Sequence, residues 1–119
     1  MTDPVLRSIA FAASEGTNGA ETILNTLISP PVTVRDGDRW TAFDLGGLTL
    51  AFAAPDDLPA GAKASLNIKV DDVKAAYRQL LNAGASSAAA PATTLHEERA
   101  SVWLSKEIAL SVYRSLPRP

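Results

Sequence analysis

Hydrophobic and polar residues alternate with period two in several short stretches of the chain, and two stretches between them repeat with helical spacing. Leu6 to Ala13 is predicted to be a strand, with Ile9 and Phe11 on one face and Ser8, Ala10 and Ala12 on the other. Asn18 with Glu21 three residues on forms a loosened capping box. Ala20, Ile23, Leu24, Leu27 and Ile28 then form one apolar helical stripe, which Ser29-Pro30-Pro31 stops. Three strands follow, Val32 to Arg35, Arg39 to Leu45 and Leu48 to Ala53, with hairpin turns at Asp36-Gly37 and Gly46-Gly47. Ala54 to Ala62 has linker chemistry.

The second half repeats this order. Ser65 to Val70 is a strand, Asp71 or Asp72 caps a helix, and Gly84 ends it. Val73, Ala76, Tyr77, Leu80 and Leu81 match the first stripe position for position. Ala88 to Thr94, Arg99 to Leu104 and Ile108 to Ser115 complete the second set of strands. The predicted fold is α+β: two βαβββ modules forming a curved mixed sheet around a cleft, with both helices on the outer face. Module one covers about 5–54, the linker 55–62 and module two about 63–116, within one domain spanning 1–119.

Strand phase separates bulk from small side chains. Ile9, Phe11, Leu48, Leu50, Phe52, Leu66, Ile68, Val70, Ile108, Leu110 and Val112 share the face expected beneath the helices. The opposite face carries Ser8, Ala10, Thr49, Ala51, Ala53, Ser65, Asn67, Lys69, Ala109, Ser111 and Tyr113. Alanine and serine in place of long charged side chains leave room for a ligand rather than simply meeting solvent.

Composition narrows the chemistry. With 46% hydrophobic and 20% charged residues and a net charge of -2, the chain reads as a globular protein and gives no reason to expect nucleic acid or an anionic membrane as partner. The Met-Thr-Asp-Pro start lacks the pattern of a signal peptide, and no apolar run approaches the roughly 20 residues of a membrane span, so a cytoplasmic location is expected. Without cysteine there is neither a disulfide nor a thiolate nucleophile or metal ligand.

Leu66-Asn67-Ile68-Lys69-Val70-Asp71-Asp72-Val73, followed by Ala75-Ala76-Tyr77 and Gly84-Ala85, resembles the second module of the vicinal oxygen chelate superfamily, the glyoxalase, bleomycin-resistance and extradiol dioxygenase group. The resemblance runs from Val5 to Leu116, although Ser105-Lys106-Glu107 replaces the frequent Asp-Pro-Asp-Gly turn. It implies a small-molecule cleft and a homodimer. In metal-using members it also implies histidine and glutamate ligands on the first and last strands of each module. The matching positions here are Ser8, Ser65, Thr49 or Ala51, and Ala109 or Ser111, none a competent ligand, so no metal and no cofactor are expected.

Trp40 and Trp103 fall on corresponding strands and are either core residues or plates for stacking a flat ligand. Alternation groups each with cleft residues. Ser65, Asn67, Lys69, Arg99, Ser111 and Tyr113 are the polar candidates for orienting such a ligand, with Lys69 and Arg99 reading more readily as solvated at strand ends, and Asp44 reads as a turn residue. His96 beside Glu97 and Glu98 reads as a solvated loop rather than a metal site. The expected function is metal-free binding of a small organic ligand, such as sequestration of an antibiotic, with no nucleic acid or membrane partner. A metal-independent lyase or isomerase using His96 or Tyr113, and a regulatory domain with a vestigial cleft, are the alternatives.

Overall fold

The computed structural model describes residues 3–117; Met1 and Thr2, part of the N-terminal segment read above for a leader, lie outside them. Among the described residues, eight strands and two helices occur in the order β1 (Val5–Ala12), α1 (Thr17–Leu24), β2 (Val32–Asp36), β3 (Trp40–Asp44), β4 (Thr49–Ala53), β5 (Ala64–Lys69), α2 (Val73–Asn82), β6 (Ser86–Thr93), β7 (Glu97–Ser105) and β8 (Ile108–Ser115), with a 3-10 turn at Pro55–Asp57 between β4 and β5. All eight strands form one curved mixed sheet in the order β2-β3-β4-β1-β5-β8-β7-β6. Each half contributes a parallel pair, β1 with β4 and β5 with β8. The halves meet where β1 runs antiparallel to β5. The strand order thus reads as a mirror about that seam, the arrangement two βαβββ modules produce when joined edge to edge.

Cross-strand partners share a face of the sheet. Ser8 opposes Thr49 on one side and Asn67 on the other, Asn67 opposes Ser111, and Ser111 opposes Ser101. The short residues therefore line one concave face, as the alternation predicts. The other face is covered only at its ends: α1 packs on β3 and β4, and α2 on β6, β7 and β8. Beneath α2, Val70, Val73, Ala100 and Val112 form a buried cluster with Ile68, Ala76, Tyr77, Leu80 and Leu110 against it. Phe11, on the seam strand β1 and expected under a helix, is 42% exposed.

The second helix follows its sequence signals. The Asp72 side chain accepts from the Ala75 N–H at 3.0 Å, and the C-terminus closes with Gly84 N–H on the Leu81 carbonyl and Ala85 N–H on the Leu80 carbonyl. This six-to-one and five-to-two pair needs a left-handed residue, supplied by Gly84 at φ 107°. At Gly46-Gly47 both glycines have positive φ, and Leu45 N–H meets the Leu48 carbonyl at 2.8 Å across a two-residue turn. Asp44 accepts from Gly46 N–H, the turn role expected of it.

The first helix departs from expectation. Its N-cap is Gly16, not Asn18, and the cap acceptor comes from another element: Asp38, in the β2–β3 turn, accepts from the Asn18 N–H at 2.7 Å. A Cβ on Gly16 would lie 2.0 Å from that carboxylate, and its φ of 95° is one that residues with a side chain rarely adopt, so the position favours glycine. The Thr17 hydroxyl is buried against Thr41 at 3.0 Å, and Glu21 forms a two-pronged ion pair with Arg35 on β2. These polar anchors rotate the helix so that Thr17, Ala20, Glu21 and Leu24 face inward. Ile23 and Leu27, two members of the predicted stripe, are 76% and 90% exposed.

Asp38→Ala removes the remote cap and is expected to destabilise the fold by about 1 kcal/mol, within the usual range for cap loss, read as a lower urea midpoint with an unchanged slope. Gly16→Ala is expected to destabilise more than Gly19→Ala, because Gly19 meets no neighbour within 4 Å.

Candidate functional site

The alanines of the concave face do not all border empty space. Ala10, Ala42, Ala51, Ala53 and Ala109 are buried beneath the module linker, which lays Leu58 and Ala62 into them, with Trp40 and Trp103 packed alongside. Arg39 ties this linker down through Asp56 at 2.8 Å and Asp57 at 3.1 Å. The small side chains thus make room partly for the chain itself. What remains is a cavity of about 590 Å³ that bridges the modules. Trp40 and the linker residues Leu58 and Pro59 border it from one side, Ser65 and Asn67 of β5 and Ser101 of β7 lie at its floor, and Glu97, Arg99 and the β6 alanines close the other.

The polar floor is a continuous hydrogen-bonded row. Arg99 Nη1 donates to Asn67 Oδ1 at 3.0 Å. A guanidinium has no acceptor, so the Asn67 oxygen must face it, which turns Asn67 Nδ2 toward Ser8 Oγ at 3.0 Å. Ser65 Oγ donates to the same Asn67 oxygen at 3.1 Å. Having spent its one hydrogen there, Ser65 can only accept from Ser111, at 3.1 Å, and Ser111 in turn can only accept from Ser101, at 2.7 Å. The row therefore runs in one direction, from Ser101 through Ser111 and Ser65 to Asn67. Ser65, Ser101 and Ser111 are essentially fully buried, and no buried side-chain polar atom among the described residues lacks a partner.

Arg99 is held on three sides. Nε and Nη2 meet the two Glu97 oxygens at 3.0 and 3.3 Å, and the guanidinium carbon lies 5.0 Å from the centre of the Tyr113 ring. Burial raises the Tyr113 phenol above its ordinary pKa of 10.0, against the opposing pull of Arg99 and Arg7 and with a smaller upward push from Glu97.

Of the residues singled out in the sequence, Trp40, Ser65, Asn67 and Arg99 line this cavity. Ser111 lies beneath it in the hydroxyl row, and Tyr113 lies behind Arg99. Trp103 instead borders a second, more open hollow of about 560 Å³ with Gly61, Gly84 and Lys106, so the two tryptophans do not face each other across one space. His96 is exposed in the β6–β7 turn and does not line the cavity. Its neighbours go to opposite faces: Glu97 enters the cavity, while Glu98 pairs with Arg114 at 2.8 Å. Asp57, Leu58, Pro59, Thr94, Glu97, Ser101 and the β6 alanines were missed as lining residues. Glu97 was readable, since it stands two positions from Arg99 on one strand; the linker's place over the sheet had no local signal.

The positions that match the ligand positions of metal-using members carry no metal-binding side chains. Ser8, Ser65, Thr49, Ala51, Ala109 and Ser111 offer hydroxyls and methyls, and no group of three His, Asp or Glu residues able to hold an ion occurs among the described residues.

Two outcomes are expected from this geometry. Ser111→Ala strands the Ser101 hydrogen and removes the donor to Ser65, destabilising the fold by about 1–3 kcal/mol in urea denaturation. Because the folded state holds the Tyr113 proton more tightly than the unfolded chain, its contribution is intact below pH about 10 and is lost as pH rises through the higher folded value. Tyr113→Phe is accordingly expected to lessen the fall in stability over that alkaline range.

Comparison with known proteins fits this architecture. No family model matches the chain. Over 84 residues it is 37% identical to an uncharacterized protein of Mycolicibacterium smegmatis, covering 71% of this chain and 72% of that protein. Among solved structures, a glyoxalase/bleomycin resistance protein/dioxygenase superfamily member from Vibrio splendidus superposes with a TM-score of 0.68 at 15% identity, over 94% of this chain and all of its own. An NAD-dependent benzaldehyde dehydrogenase structure from Legionella pneumophila gives 0.70 at 16% identity over 92% and 98%. A methylmalonyl-CoA epimerase of Streptomyces coelicolor gives 0.64 at 11% identity over 94% and 97%. The chain therefore belongs to one family with the mycobacterial protein and has the fold of the vicinal oxygen chelate superfamily, the glyoxalase, bleomycin-resistance and dioxygenase group.

Proposed function

We propose that the chain is a metal-independent binding protein that holds a flat organic ligand, an antibiotic among the candidates, in the cavity that bridges its two modules. The observation that carries this reading is the cavity itself. Its volume of about 590 Å³ suits a small organic molecule, one side is apolar and aromatic, and a fixed cation stands among its polar groups. Binding is favoured over catalysis because His96 and Tyr113, the acid–base candidates, do not line it. The carboxylates that do are engaged, Glu97 by Arg99 and Asp57 by Arg39. The proposal includes a homodimer and a cytoplasmic setting; no helix among the described residues is long and apolar enough to cross a membrane.

A thermal-denaturation screen of planar aromatic and glycopeptide compounds tests this. A ligand present at 100 times its dissociation constant should add about 2.7 kcal/mol of stability, and Trp40→Ala should reduce that gain. Zinc, nickel or manganese added to dialysed protein should give no comparable stabilisation. Stoichiometric metal retained through dialysis would contradict the reading, as would a complete lack of hits.

A further inference from the structure

We propose that Arg99 selects the ligand, and that the ligand is an uncharged flat compound presenting a carbonyl or carboxamide oxygen. This rests on reading the cavity as a small-molecule site and goes beyond it by assigning the chemistry of the head group.

Hydrogen-bond bookkeeping points to Arg99. A guanidinium carries five N–H groups, and three are committed, two to Glu97 and one to Asn67, leaving two without partners among the described residues. Elsewhere on the floor Asn67 Nδ2 keeps one hydrogen beyond the one it gives Ser8, and the serines keep none. Fixing the Asn67 amide against Arg99 commits the hydrogens of Ser65, Ser111 and Ser101 in turn, so none of these hydroxyls has a proton to spare. Unspent donors at a cavity wall call for an acceptor on the ligand.

Charge decides which acceptor. Glu97 already neutralises Arg99, and Asp57, which also lines the cavity, shares the single cation of Arg39 with Asp56, leaving that cluster one negative charge in excess. A ligand carboxylate would meet this excess with no unneutralised cation to offset it, whereas a neutral carbonyl oxygen can accept from Arg99 without repulsion. The fork is also preorganised, since Glu97, Asn67 and the Tyr113 ring fix its plane before anything binds, so little side-chain freedom is lost on association. Trp40, Leu58, Pro59 and the β6 alanines supply apolar contact for a flat body.

Three probes with one aromatic body separate the possibilities: naphthamide, naphthoate and methylnaphthalene, titrated into the wild-type chain and into the double variant Arg99→Gln/Glu97→Gln, which removes both charges together. Naphthamide should bind wild type more tightly than naphthoate does and should lose at least tenfold in affinity in the double variant, while methylnaphthalene binds both proteins alike. Tighter binding of naphthoate than naphthamide would overturn the inference, as would naphthamide affinity unchanged by the double substitution; either result leaves the cavity reading standing. Failure of wild type to bind any of the three would overturn the cavity reading with it. If the double variant does not fold, the Arg99 side-chain N–H resonances of wild type decide: they should shift with naphthamide and stay in place with methylnaphthalene, and equal responses would refute the assignment.

Discussion

Strand phase across the seam between β1 and β5 governs this molecule. A strand can present its side chains in only two directions, so placing the short residues of β1, β4, β5 and β8, Ala64 apart, in one phase commits a whole face of the sheet at once. Bulk gathers on the outer side, where α2 covers one wing and α1 the other. A slip of one residue at the seam would drive Ile9 and Leu66 into the hollow and lift Ala10 and Ser65 out of it. Register and cavity are therefore one property, and the pairing of Ala10 with both Ala51 and Ser65 is where it is fixed.

The chemistry of the hollow follows from weak polar groups that satisfy one another. Three serines, an asparagine and an arginine bridge β5, β7 and β8 from the inside. Each member fixes the hydrogen of the next, which gives a buried polar row a single lowest-energy arrangement rather than several. Such a row costs little only because it is complete. The one charged group within it is balanced by a neighbour two residues away on its own strand, so the pair forms without bringing together distant parts of the chain.

Much of the fold was legible because its signals are local. The Asp72 cap, the Gly84 stop and the Gly46-Gly47 turn each depend on a few adjacent residues, and each occurs where the residues indicate. Helix α1 was misread for the opposite reason. Its cap lies on Asp38, across the chain, and Glu21 is anchored by Arg35, so contacts remote in sequence set its rotation against its own apolar spacing. The site divides similarly. Period two placed Trp40, Ser65, Asn67 and Arg99 on the concave face, but nothing near Leu58 or Ala62 announces that these residues will occupy it. The tryptophans were paired by the internal repeat, yet they border different hollows.

The linker seats Leu58 over the alanine floor and is anchored by the Arg39 ion pairs at its start, which makes it an insert whose thickness sets how much of the trough stays open. Its length and bulk are constrained by neither strand pairing nor helix packing. Descendants of this fold could therefore rescale the chamber by rewriting some eight consecutive residues while the strand ladder, with its buried hydroxyls, passes on unaltered.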